Sequence, residues 1–190
     1  MTERVPPEQL FQVLVKGGAG SFSIDGLVVK RTVFEKAGLL DEHLPLHQDT
    51  AIIVKIAAVA KLVPGRLDEP AAMWRVHDHN RISAPRLPGE VYKGKLMYWN
   101  TLWCWSRGHL DEKRQRIVLD RLLSHAMFAP RFNRALPTWA RGFQKRLQLI
   151  LLLFDYPLLA WEASFWECFV PSPRHWGRLL YNRLAQKCQA

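Results

Sequence analysis

The chain has little cysteine, with only Cys104, Cys168 and Cys188 among its 190 residues and no Cys-x-x-Cys pair. An odd number of widely spaced thiols excludes a disulfide scaffold and a cysteine-based zinc module. The first twenty residues contain no apolar core, so we expect no signal peptide. Apolar residues, by contrast, make up 48% of the sequence. This is enough to form a hydrophobic core and excludes a disordered tail.

Long apolar runs are also missing. The most apolar stretch, residues 141–171, is interrupted by Asp155, Glu162 and Glu167, and its longest uncharged segment is Leu147 to Phe154. A membrane-spanning helix needs about 20 consecutive apolar residues, so this stretch is too short to span a bilayer. The alternatives are a helix lying on a membrane surface and a soluble helical tail.

Acidic residues are scarce in one half of the chain only. Residues 1–89 carry a net charge of +1, whereas residues 90–190 carry +9 and seven of the eight tryptophans. The composition changes near the Pro/Gly-rich segment 84–89. We therefore predict two domains, residues 1–89 and residues 90–190.

The first half is typical of an α/β fragment. Residues 20–31 join a glycine-rich entry to a β-branched run and predict a strand from about Ile24. Thr32 and Glu35 form a capping-box pattern for a short helix that Gly38 ends. A second, largely apolar helix is predicted from Asp49 to Lys61, and a second strand over 71–77.

Two positions in this half are candidates for chemistry. Asp49 is either an ordinary helix cap or a general base, because the positive end of a helix dipole favours the ionised carboxylate. Arg75 and His77 alternate along the second predicted strand and are either solvated edge residues or ligands of a diphosphate. The spacing of the histidines around His43 and His47 matches no metal site, because Pro45 interrupts the segment.

The order of four segments resembles the C-terminal part of the catalytic domain of family 2 glycosyltransferases, which have the GT-A fold. These segments are Gly26 to Arg31, Val33 to Glu42, the pair Gln48-Asp49, and Trp74 to His77. The resemblance covers about residues 10 to 83. It implies a partial GT-A-like mixed sheet with helices, followed by an α-helical C-terminal region.

The resemblance also implies a function, namely inverting transfer of a sugar from a nucleotide-sugar to a glycan or lipid-linked acceptor hydroxyl. Asp49 matches the general base, and Gln48 stands where the family has Glu. Arg75 and His77 match a segment that approaches the diphosphate. The resemblance thus implies that Gln48, Arg75 and His77 bind the diphosphate or the acceptor, and that His77 is a candidate metal ligand. The family's Mn²⁺ or Mg²⁺ is held by an Asp-any-Asp motif that this sequence lacks. We therefore expect an acceptor-side piece of a longer or split enzyme, or a truncated remnant.

The second half predicts amphipathic helices over 90–107 and 111–128, whose apolar stripes are typical of helix-to-helix packing. Residues 141–171 predict a surface-lying segment with basic residues near anionic headgroups. The corresponding location is the cytoplasm, with peripheral attachment to the inner face of the membrane.

The alternative function is a non-catalytic membrane-surface or partner-binding module. A second polypeptide or self-association is also expected, and nucleic-acid binding is disfavoured because no recognised motif is present.

Overall fold

A computed structural model of the chain describes residues 5–17, 22–65, 69, 72–73, 88–127 and 137–169. Within these ranges the regular elements are helical. The α-helices are α1 (Pro7–Lys16), α2 (Arg31–Ala37), α3 (Gln48–Val59), α4 (Pro88–His109), α5 (Glu112–Met127), α6 (Thr138–Asp155) and α7 (Ala163–Glu167). Short 3₁₀ turns occupy Ile24–Gly26 and Pro157–Trp161.

The prediction of an α/β fold with a partial GT-A-like mixed sheet is wrong, because the described residues contain no strand. The segment predicted as the first strand forms a 3₁₀ turn followed by extended residues. Leu27 and Val29 pack towards α3 whereas Val28 points to solvent. The alternation of a strand is therefore present, but within the described ranges no neighbouring strand completes a hydrogen-bonded ladder. The identification with a family 2 glycosyltransferase is wrong for the same reason.

The predicted helices of the described residues are confirmed, with changes at their ends. α2 begins at Arg31 after Lys30, with no side-chain cap, so the capping box predicted at Thr32 does not form. Gly38 ends α2 with φ of 79°, and its N–H donates to the Phe34 carbonyl at 2.8 Å. The second predicted strand, at 71–77, and most of the predicted boundary segment, 84–89, lie outside the described residues.

The chain divides into two compact units, residues 1–131 and residues 132–190. In the first unit α3 packs against α1, α2 and α4, while α5 packs against α4 and α1. α3 is buried around most of its circumference, from Ala51 to Ala57. In the second unit α6 and α7 both pack against the 3₁₀ turn that joins them.

Two arginines of α5 hold the ends of other helices. Arg114 donates to the Ala58 carbonyl in the last turn of α3 at 2.9 Å. Arg121 donates to the Val15 carbonyl at 2.7 Å and also to the Lys16 carbonyl at the end of α1. The last carbonyls of a helix have no partner within it, so each guanidinium satisfies oxygens that would otherwise need water.

Arg121 also lies over the ring of Trp99 on α4, with its guanidinium carbon 6.0 Å from the ring centroid. One side chain of α5 therefore contacts both α1 and α4. Gly17, which follows α1, has φ of 73°, and a Cβ built there would lie 3.3 Å from the Arg121 guanidinium. A glycine at this position permits both the left-handed backbone and the close approach of the arginine.

We expect Arg121→Ala to lower the free energy of unfolding by about 2 kcal/mol, because hydrogen bonds from a charged donor to helix-end carbonyls are lost. Urea titration followed by circular dichroism measures the change. Arg116→Ala is the matched control, since Arg116 lies on the same helix in an exposed ion pair with Asp120; it should cost less than about 1 kcal/mol. Equal losses in the two variants would contradict the capping role.

A pair of glycine substitutions tests the turn after α1. Gly17→Ala should destabilise the protein by about 1 kcal/mol or more, because alanine is strained at positive φ. Gly108→Ala should instead stabilise it by up to about 1 kcal/mol, because Gly108 is helical and no neighbouring group lies within 4 Å of the place that an alanine methyl would take. Thermal unfolding of both variants measures the two changes in melting temperature. Changes of the same sign would contradict the requirement for glycine at position 17.

Candidate functional site

Two predicted site residues, the candidate general base Asp49 and the candidate diphosphate- or acceptor-binding residue Gln48, lie in the first turn of α3. Gln48 Nε2 donates to the Leu44 carbonyl at 2.7 Å, and Asp49 Oδ1 accepts the Thr50 backbone N–H at 2.8 Å. The Asp49 side chain is exposed. His47 precedes the helix with φ of 67°. These bonds are those of a helix start, where N–H groups stabilise a carboxylate.

The described part of the structure does not include the other predicted site residues. Arg75 and His77 lie outside the described residues. Among the residues that are described, no group of three or more His, Cys, Asp or Glu side chains is arranged to hold a metal ion. The expected Mn²⁺ or Mg²⁺ and the roles of Gln48, Asp49, Arg75 and His77 therefore stay predictions.

A cluster of aromatic and ionisable side chains lies next to the first turn of α3. The sequence did not predict this cluster. The rings of His47 and Tyr98 are 5.4 Å apart. Burial raises the pKa of Tyr98 well above its ordinary value; the Arg121 charge opposes this rise and the Asp49 charge adds to it. The Tyr98 phenol therefore stays protonated, and Asp49 lies close enough to act on it electrostatically. Asp49 and Tyr98 are far apart in the sequence, so the sequence alone did not indicate that they lie close together.

His125 on α5 belongs to the same region. Its ring stacks on that of Tyr92 with centroids 5.1 Å apart. Burial lowers the pKa of His125, and the cations Lys95 and Arg121 and the nearby His47 lower it further, while a contact with the Tyr92 carbonyl opposes them. The neutral imidazole is therefore favoured, as expected for a ring that packs between helices.

Lys55 is a buried cation near the middle of α3, with 7% of its surface exposed. Its ammonium lies 5.8 Å from the ring centroid of Trp105, which in turn stacks on His109. Burial lowers the pKa of Lys55, and the negative charge of Asp41 opposes that change. The stack and Asp41 thus only partly compensate for the loss of water around the ammonium.

The folded state binds the Lys55 proton less tightly than the unfolded chain does. This residue therefore reduces stability at neutral pH, and the penalty fades as the pH rises towards the ordinary pKa of 10.5. We expect Lys55→Met to gain stability relative to the original chain at pH 7, and the difference between the two proteins to decrease by pH 10. Urea unfolding at both pH values tests this; a difference that does not change with pH would contradict it.

The second unit presents a different kind of surface. Among the described residues of α6, six large apolar side chains are exposed. One is Leu151, and the other five recur with helical spacing: Trp139, Phe143, Leu147, Ile150 and Phe154. At about 100° per residue they fall within an arc of about 80°, and we call this stripe the apolar face of α6. The exposed fractions reach 77% at Trp139 and 81% at Phe154.

The buried side chains of the described residues of this unit come from elsewhere on α6 and from the segment after it. They are Leu149, Leu152, Leu159 and Phe165. Pro157 begins the 3₁₀ turn after α6 ends at Asp155, so the chain changes direction where proline cannot continue an α-helix. Trp161 and Trp166 remain exposed beyond the turn, at 84% and 49%.

The length and composition of α6 limit what its apolar face can contact. No helix of the described ranges combines the length and the apolarity that are needed to cross a bilayer. α6 carries charged residues along its other sides, including Lys145, Arg146 and Asp155. Such a helix is amphipathic in the way of segments that lie in the plane of an interface.

Comparisons with protein-family profiles, with characterised proteins and with solved structures found no match to this chain. The resemblance to family 2 glycosyltransferases thus has no family match to support it, and no sheet in the part of the chain that the structure describes. The function of the chain therefore has to be inferred from the helices and surfaces described above.

Proposed function

We propose that this protein is a non-catalytic module that attaches to the surface of a lipid membrane through the apolar face of α6. The observation that carries the proposal is the exposed stripe of five large apolar side chains from Trp139 to Phe154. Full burial of one such side chain is worth about 1.5–3 kcal/mol. Their exposure leaves a large favourable free energy available to a partner that covers them.

Charge and composition favour a membrane as that partner. The face combines aromatic and long aliphatic residues, which suit the boundary between headgroups and acyl chains. The chain has a net charge of +10, and the half that contains α6 carries most of it. Basic segments next to an apolar face are attracted by anionic leaflets, so attachment to the inner face of the cytoplasmic membrane is the corresponding location.

Sugar transfer from a nucleotide-sugar to a glycan or lipid-linked acceptor stays an untested prediction. It relied on Asp49 at the start of a helix beside a sheet; Asp49 does lie in the first turn of α3, but the described residues contain no sheet. A phosphate-binding region and a partner polypeptide would both have to come from elsewhere. The apolar face of α6 supports the attachment function without either of them.

Vesicle flotation of the full chain tests the proposal, and the informative variant is Phe143→Gln with Phe154→Gln. Both side chains are exposed, at 65% and 81%, so glutamine should leave the fold intact. We expect the original chain to float with vesicles and the double variant to lose affinity by about tenfold or more, because two apolar side chains no longer enter the lipid.

The matched control is Val28→Gln with Leu39→Gln, which removes two exposed apolar side chains of the first unit. This control should float like the original chain. Equal losses in the two double variants would show that α6 has no special role. Failure of the original chain to float, together with a dimer in sedimentation that the α6 substitutions disrupt, would assign the apolar face to self-association instead.

A further inference from the structure

Charged residues are placed unevenly around the apolar face of α6. At about 100° per residue, Arg146 projects about 20° beyond the edge of the face that Trp139 forms. Its side chain is exposed. An arginine at this border can extend along the helix and keep its guanidinium at the level of lipid phosphates while neighbouring apolar groups enter the membrane.

The adjacent cation, Lys145, points elsewhere. Its direction is about 160° from the middle of the apolar face, between the directions of the buried side chains of Leu149 and Leu152. Lys145 is exposed as well. Two neighbouring residues of equal charge thus differ in whether they border the face or oppose it.

The second border of the face has a negative charge at its far end. Asp155 is exposed in the last turn of α6, about 80° beyond the edge that Leu147 forms. It lies nine residues from Arg146, or about 13 Å along the axis. Of the two charged side chains nearest to the apolar face among the described residues, the cation Arg146 therefore lies near the middle of α6 and the anion Asp155 at its C-terminal end.

Building on the attachment function proposed above, we propose that Arg146 binds the phosphate of an anionic lipid headgroup when the apolar face of α6 lies in the membrane. A guanidinium suits this role because its planar N–H groups bind two phosphate oxygens together. The apolar face supplies affinity for any bilayer, and Arg146 adds a preference for anionic ones. Lys145, on the opposite side, adds little.

The experiment compares Arg146→Gln with Lys145→Gln, two variants with the same change in net charge. Flotation of the full chain uses vesicles of phosphatidylcholine alone and vesicles that also contain phosphatidylglycerol, at low and at high salt. We expect the original chain to prefer the anionic vesicles at low salt. Arg146→Gln should lower affinity for them by about fivefold and leave binding to phosphatidylcholine unchanged.

Lys145→Gln should keep most of the anionic preference. Equal effects of the two substitutions would overturn the proposal, because a diffuse net charge would then explain the preference. An original chain that binds both vesicle types equally would overturn it too, while attachment itself would stand. Absence of binding to either vesicle type would overturn the attachment function and this inference with it.

Discussion

The last carbonyls of a helix have no hydrogen-bond donor within that helix. In the described part of the first unit, α5 supplies donors for the ends of two other helices. Arg114 and Arg121 are seven residues apart on α5, so they project from one side of that helix. Their guanidinium groups hold the last carbonyls of α3 and α1. Because α5 also packs along α4, it contacts three other helices of the first unit, α1, α3 and α4.

α3 occupies the centre of this arrangement, and its burial explains both its stability and its chemistry. Helices on three sides exclude water from most of its surface, so Lys55 is held in a poorly hydrated position beside Trp105. The ends of a central helix must still reach solvent. Asp49 lies at such an end, where its carboxylate completes the start of the helix and remains exposed.

The second unit has a small buried core, and one apolar side of α6 stays exposed. Leu149, Leu152, Leu159 and Phe165 form its buried set, and one side of α6 is sufficient to supply two of them. Among the described residues of this unit, the apolar residues on another side of α6 therefore lie outside this small core. A lipid interface accommodates such a stripe, because it takes up apolar side chains without requiring a shaped pocket.

Periodicity in the sequence determined the helices α3, α4 and α5 and the amphipathic character of α6, because local spacing of apolar residues dictates which face a helix buries. It did not determine whether the run around Val28 would pair as a strand, since pairing depends on a neighbouring segment that is distant along the chain. The sequence placed Asp49 at the start of a helix, as the structure does, whereas the sheet that the resemblance put beside that helix is absent from the described residues. Likewise, only the tertiary structure decided which arginines would cap other helices and which apolar face of α6 would stay exposed, because both depend on what packs nearby.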